Sequence, residues 1–217
     1  MEHLSKQRKE VNMEQKDEYQ ERYLDHQERK TSSLESFKGT QKPEYTLLEQ
    51  TALKEIMMNR RSQRIFSKEP IAEESIKWLI TAVQIAPSSC NRQAIYLKEA
   101  DPIQMEQYLV GGKRWINNAN KVYLLFASKE AYKSPNEKTF MPFLDAGFVG
   151  QNIYLMAEAL GLGCCYVNPN IRPEQQPAFQ EQFGDDYFCG AVAIGNYLMK
   201  AKQPPLRELQ KVLIKNL

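Results

Sequence analysis

Two short stretches carry the residue types best suited to chemistry. The first, Arg60-Arg61-Ser62-Gln63-Arg64-Ile65-Phe66, places three guanidinium groups and a hydroxyl within five residues, between two expected helices. A guanidinium is a planar fork of donors that matches phosphate oxygens, and serine adds a short donor. In a turn, such a cluster suits a compact phosphate dianion better than a long polyanion. Solvated surface, or pairing with carboxylates, is the competing reading of the same arginines. The second stretch comes one helix later: Ala86-Pro87-Ser88-Ser89-Cys90-Asn91-Arg92-Gln93. No residue of the chain stands out as a general acid or base. Cys90 reads as a small buried residue rather than a nucleophile, because no histidine lies in the core to activate it.

Composition narrows the classes. A chain of 217 residues can bury one sizeable core. A net charge of +2 gives no global field for nucleic acid or an anionic membrane. No apolar run is long enough to span a bilayer, and Met1 to Val11 has no signal-like apolar stretch, so a cytoplasmic protein is expected. The four cysteines, Cys90, Cys164, Cys165 and Cys189, form no C-x-x-C pair, and the two histidines, His3 and His26, lie in the polar leader. A metal site is therefore not expected.

The elements that would position the two stretches follow in chain order. Residues 1–45 read as a charged arm and linker, with acidic and basic residues interleaved and no sustained heptad. Residues 46–217 read as the folded domain. It opens on a capping box at Thr46-Leu47-Leu48-Glu49 and a helix with Leu48, Ala52 and Ile56 on one stripe, ending near Asn59. A second helix follows Pro70, with Ile76, Leu79, Ile80 and Val83 expected inward, and stops before Pro87. Ala94 to Glu99 reads as a strand, Pro102 to Val110 as a helix closed by Gly111-Gly112, and Val122 to Ala127 as a strand covered on both faces. Lys129 to Pro142 reads as a polar connection. Phe143 to Leu160 reads as the longest helix, apolar on nearly every side, which implies both a core face and a subunit interface. Cys164 to Val167 is a short strand, Pro173 to Phe183 a helix, Tyr187 to Ile194 a buried strand ending at Gly195, and Pro204 to Leu213 a last helix. Helices and strands without strict alternation indicate an α+β fold.

The ordered set Arg60-Arg61-Ser62-x-Arg64-x-Phe66, Ala86-Pro87-Ser88-Ser89-x-Asn91-x-Gln93 and Asp145-Ala146-Gly147…Gln151-Asn152…Leu160-Gly161-Leu162-Gly163 resembles the nitroreductase family of FMN-dependent oxidoreductases. The resemblance runs from about Thr46 onward. It implies a mixed central sheet flanked by helices, in a homodimer with flavin sites at the interface. It implies that Arg60, Ser62 and Arg64 hold the phosphate or ribityl chain of FMN; Arg61 is a further cofactor-binding candidate in the same cluster but reads as the more surface-directed of the arginines. Pro87, Ser88 and Ser89 would line the isoalloxazine from the other subunit, Gln93 is a further cofactor-binding candidate of the same motif, and Asn91 would bond the pyrimidine edge, since an amide donates and accepts at once. Val167, Asn168 and Pro169 would bring backbone to the reactive flavin nitrogen. NAD(P)H would deliver hydride, and a nitroaromatic, quinone or similar acceptor would take it, by a ping-pong mechanism. The partners implied are a small-molecule substrate and a second copy of the chain, without nucleic acid, membrane or metal.

Several positions depart from the family pattern. Ala94 and Ile95 replace a proline and an aromatic residue, and Pro169 stands where glycine is common. The basic residue expected near the C-terminal Pro-x-Leu is displaced, leaving Lys202 as the phosphate candidate there. Tyr132 and Phe140 are candidates for stacking on substrate. Asp145 and Glu158 are read as partners of basic residues at the interface. Oxidation of a specific metabolite or reductive dehalogenation on the same scaffold, and flavin binding without catalysis, stay open as alternatives.

Overall fold

The structure, a computed structural model, describes residues 43–208 and residue 212. The expected arm lies almost wholly outside the described residues, as does the end of the helix expected from Pro204; residues 204–208 themselves are not helical.

The first helix, α1 (Leu47–Asn59), starts where its chemistry dictates. Thr46 Oγ1 accepts from the Glu49 amide at 3.2 Å while Glu49 Oε2 accepts from the Thr46 amide at 2.8 Å. Among the described residues its apolar stripe is not covered: Leu48 is 79% exposed, and Leu53 and Met57 are also exposed. Helix α2 (Glu73–Gln84) buries Leu79 and Ala82, whereas Ile80, expected inward, is half exposed.

Four strands form one sheet in the order β1-β2-β4-β3: β1 (Ile95–Ala100), β2 (Lys121–Ala127), β3 (Gly163–Val167) and β4 (Tyr187–Gly195). Every ladder is antiparallel. Among the described residues one parallel bridge, between Ser62 and Cys164, makes the sheet mixed. Strand β2 is buried on both faces, as its continuous apolar run requires. Tyr123, Leu125 and Ala127 face one core with α2 and the long helix; Val122, Leu124 and Phe126 face a second core with α3 (Pro102–Tyr108) and α5 (Gln176–Phe183).

The long helix, α4, spans Pro135–Ala159, so it begins eight residues before the expected Phe143 and absorbs most of the expected polar connection. Ser134 caps it, accepting from the Glu137 amide at 3.2 Å, and Glu137 answers on the Ser134 amide. Pro142 sits inside the helix. A proline there leaves one carbonyl, that of Lys138, without its helical donor, and Lys138 is exposed to water. The face with Asp145, Ala146, Val149, Ile153 and Ala157 is buried. Phe143, Leu144 and Phe148 remain 40–46% exposed, so the described residues do not supply the burial expected on every side.

Between Leu125 and Phe126 the β2–β4 register shifts, making Cys189 an extra residue on β4. The next residue, Gly190, has φ +135°, and a Cβ there would meet Val167 O at 2.6 Å and the Tyr166 hydroxyl at 2.7 Å. Only glycine allows that approach, which fixes the end of β3.

Candidate active site

The arginine turn is set by what precedes and follows it. Arg60 closes α1, its amide bonding Ile56 O, and Ser62 then pairs with β3, with the Gln63 amide donating to Cys164 O at 2.9 Å. Gln63, buried at 4% exposure, is the anchor that the motif alone did not reveal. Its Nε2 donates to Ile65 O at 2.8 Å and Met199 O at 3.0 Å, and its Oε1 accepts from the Ala201 amide at 3.0 Å. The segment after β4 is thereby strapped to the turn, and Lys202 follows one residue later, exposed.

The arginines divide by their partners. Arg61 is engaged with the protein: Nη1 donates to Met58 O at 2.8 Å and Arg60 O at 2.7 Å, and Nη2 to Gln203 Oε1 at 2.8 Å. Arg60 lies 4.8 Å over the Tyr154 ring, and Arg64, exposed, lies 5.7 Å from the centre of the Trp115 ring. Among the described residues no carboxylate pairs with either. Ser62 Oγ is 3.1 Å from the Tyr154 hydroxyl, which also accepts from the Tyr166 amide at 2.7 Å. Burial pushes the Tyr154 phenol up to about 12, so it stays neutral near pH 7.

Strand β3 joins this turn to the second predicted element. Val167 is buried at the strand's end, and Asn168 and Pro169 emerge exposed. The Asn170 amide donates to Asn168 O at 2.8 Å, and the Val110 amide to Asn170 O at 3.0 Å. Trp115 Nε1 donates to Gly111 O at 2.9 Å, and a Cβ on Gly111 would touch Asn168 Oδ1 at 3.5 Å. Arg64, Trp115, Gly111 and Asn168 therefore form one continuous rim.

The Ser88–Gln93 turn is tightly specified. Cys90, Asn91 and Gln93 have φ of 54°, 52° and 50°. Non-glycine residues are uncommon in the left-handed region, and a run of them persists only when surroundings over-determine it. Here Ser88 Oγ accepts from the Gln93 amide at 2.9 Å, and Asp145 Oδ1 accepts from the Ser89 amide at 2.9 Å and the Ser89 hydroxyl at 2.8 Å. Cys90, expected to be buried, is exposed because the turn points it outward. Asn91 is exposed; Pro87, Ser88 and Gln93 line a largely apolar cleft of about 600 Å³ beside β1.

The structure links Arg64 through Trp115 and Gly111 to Asn168, whereas Ser88–Gln93 is held elsewhere. The arginine turn and the Ser88–Gln93 turn are both tied to α4, at Tyr154 and at Asp145. Nine helical positions separate these, half a turn in phase and roughly 13 Å along the axis. They sit on opposite sides of the helix. Two further expectations are corrected. Tyr132 is 1% exposed, and its hydroxyl donates to Asp145 Oδ2 at 2.9 Å, so its ring belongs to the core and offers no face to a substrate. Asp145 is fully buried and bonded to Ser89 and Tyr132 rather than to a basic residue, while Glu158 pairs with Lys200 of this chain. Phe140 is exposed. Burial raises the thiols of Cys164, Cys165 and Cys189, leaving none of the three poised as a nucleophile.

A sequence model described as Nitroreductase family matches residues 57–109 and 95–196, and the chain belongs to that family. It is 31% identical to an NAD(P)H FMN reductase of Bacillus subtilis over 49% of this chain and 50% of that protein, so the match spans half the relative's length. Among solved structures, a Desulfovibrio desulfuricans protein described as a nitroreductase, in complex with FMN, superposes with TM-score 0.64 at 20% identity, covering 82% of this chain and 98% of that one. The NfrA1 nitroreductase of Bacillus subtilis gives TM-score 0.65 at 22% identity, over 76% of this chain and 74% of that one. These likenesses show the fold.

Proposed function

We propose that the chain is an NAD(P)H-dependent FMN oxidoreductase acting on a nitroaromatic, quinone or similar small acceptor. The observation that carries this reading is the division of the arginine turn: Arg61 is held by the protein, while Arg60, Arg64 and Ser62 converge beside β3 with no carboxylate among the described residues to neutralise the two guanidinium groups. That donor set fits one terminal phosphate. FMN, when bound, would carry hydride from NAD(P)H to the acceptor, which explains why no side chain of the site is tuned as an acid or base.

The protein's own residues supply position. Arg60, Arg64 and Ser62 would hold the phosphate and ribityl end, with Lys202 brought near by the Gln63 strap. Pro169 has no N–H, and the Asn170 amide is engaged by Asn168 O, so of these residues the Asn168 amide would be the backbone donor to the reactive flavin nitrogen. A fixed donor of this kind favours charge arriving at the group it faces. The separation of the Ser88–Gln93 turn from the arginine turn supports a site completed by a second copy, as do the uncovered residues of α1 and α4. In a homodimer each copy would lend its Ser88–Gln93 turn to the other's arginine turn. Reductant and acceptor would then take turns in one cleft, giving ping-pong kinetics.

The test is steady-state oxidation of NADH and NADPH with FMN present, against a quinone and a nitroaromatic. Parallel double-reciprocal lines are expected. Flavin binding without oxidation of either nucleotide would favour a binding protein and overturn the enzymatic reading.

A further inference from the structure

Asp145 is a fully buried carboxylate with no role in the reading above. It projects from the middle of α4, and both its oxygens accept: Oδ1 from the Ser89 amide and hydroxyl, Oδ2 from Tyr132. The buried Tyr132 is thus a strut that keeps the carboxylate aimed at the turn. Ser89 is the residue just before Cys90 and Asn91, where the chain enters its left-handed course. Left-handed φ at cysteine, asparagine and glutamine is disfavoured. The two bonds to Ser89 and the Ser88–Gln93 bond brace this segment at both ends. They also set polarity. The Ser89 hydroxyl donates its proton to Asp145, so its lone pairs are what it can offer to a ligand.

We propose that Asp145 is the positioning residue of the Ser88–Gln93 turn, holding it in its left-handed course and making the Ser89 hydroxyl an acceptor toward the ligand on that turn. The inference rests on the reading that this ligand is FMN, but the turn's dependence on Asp145 can be measured without any cofactor. A buried acceptor matched to its donors specifies one conformation. Asparagine at 145 keeps the Oδ1 acceptor for both Ser89 groups, whereas leucine keeps the volume and removes it.

The experiment combines amide hydrogen exchange of the cofactor-free protein with FMN titration by fluorescence. In the wild type the Ser89 and Gln93 amides should be protected; an unprotected Ser89 amide would overturn the proposal even if no variant folds. Asp145→Leu should speed Ser89 exchange at least 100-fold, with amides of β2 and β4 changed far less, and raise the FMN Kd at least tenfold. Asp145→Asn should hold both within about threefold. Ser89→Ala should weaken FMN about threefold to tenfold while Gln93 stays protected. Uniform acceleration across the sheet in Asp145→Leu, or equal losses in the Asn and Leu variants, would mean a purely structural role. Unchanged FMN affinity in Ser89→Ala would overturn the acceptor assignment. Failure of the wild type to bind FMN would refute the functional reading, while exchange still decides the turn.

Discussion

Gln63→Ala probes the anchor that holds the C-terminal strap against the arginine turn. The substitution removes three hydrogen bonds, to Ile65 O, Met199 O and the Ala201 amide. At a net ~0.5–1.5 kcal/mol each, their loss is worth roughly 1.5–4.5 kcal/mol. Ile65 and Met199 are largely exposed, so water can reach their carbonyls, and the expected cost falls in the lower half, about 1.5–3 kcal/mol. The structure also specifies a coupling. A Cβ on Gly163 would stand 2.6 Å from Gln63 Cγ and 3.0 Å from Gln63 Cβ, with Tyr197 Cδ1 at 3.1 Å. Gly163→Ala should therefore be costly with Gln63 present and cheaper in the Gln63→Ala background, where the closest clash is gone. Contacting residues show coupling of about 0.5–3 kcal/mol. Urea unfolding of the wild type, both single variants and the double variant gives the cycle. Additive energies, or a Gln63→Ala protein as stable as the wild type, would refute the anchor.

Other consequences are equally specific. Arg64→Ala should weaken FMN binding by about 1.5–3 kcal/mol, the range for bonds to a charged group, whereas Arg61→Ala should chiefly lower thermal stability; fluorescence titration beside thermal melts separates them, and equal losses of affinity would contradict the division of the turn. Phe148→Arg, on the uncovered face of α4, should shift the protein toward monomer in sedimentation velocity, and an unchanged sedimentation coefficient would remove that face from the proposed interface. The Glu137 carboxyl is held down at about 2, first by Arg92 and then by the Ser134 and Lys133 amides. A depressed carboxylate contributes stability that is full above its unfolded value and is lost as pH falls through the folded one. Stability should thus fall between about pH 4.5 and pH 2 more steeply in the wild type than in Glu137→Gln; parallel profiles would show the pair has no such effect.

Local rules made much of the fold legible. The Thr46 capping box, the two-sided burial of β2 and the end of β4 at Gly195 each depend on nearby residues whose chemistry leaves few options. The start of α4 did not read correctly, because Pro142 usually ends a helix, while the Ser134–Glu137 capping box carries the helix through it. Ile80 and Cys90 read as inward because they are apolar, but exposure is decided by which neighbours the chain supplies. The arginine cluster pointed to the turn proposed above to hold a phosphate. The sequence already separates Arg64, read toward phosphate, from Arg61, read toward the surface; the contact that engages Arg61, with Gln203 far along the chain, is what no motif encodes. The partners of Gln63 and Asp145 were not legible, because most are backbone groups and side chains distant in sequence.

The central claim is tested most directly by the visible spectrum of the purified full chain with one equivalent of FMN, before and after anaerobic addition of NADH or NADPH. The expected result is a visible flavin band shifted or quenched relative to free FMN that bleaches on addition of at least one nucleotide, because the cofactor carries the hydride chemistry. A spectrum identical to free FMN, with no quenching on titration, would contradict it.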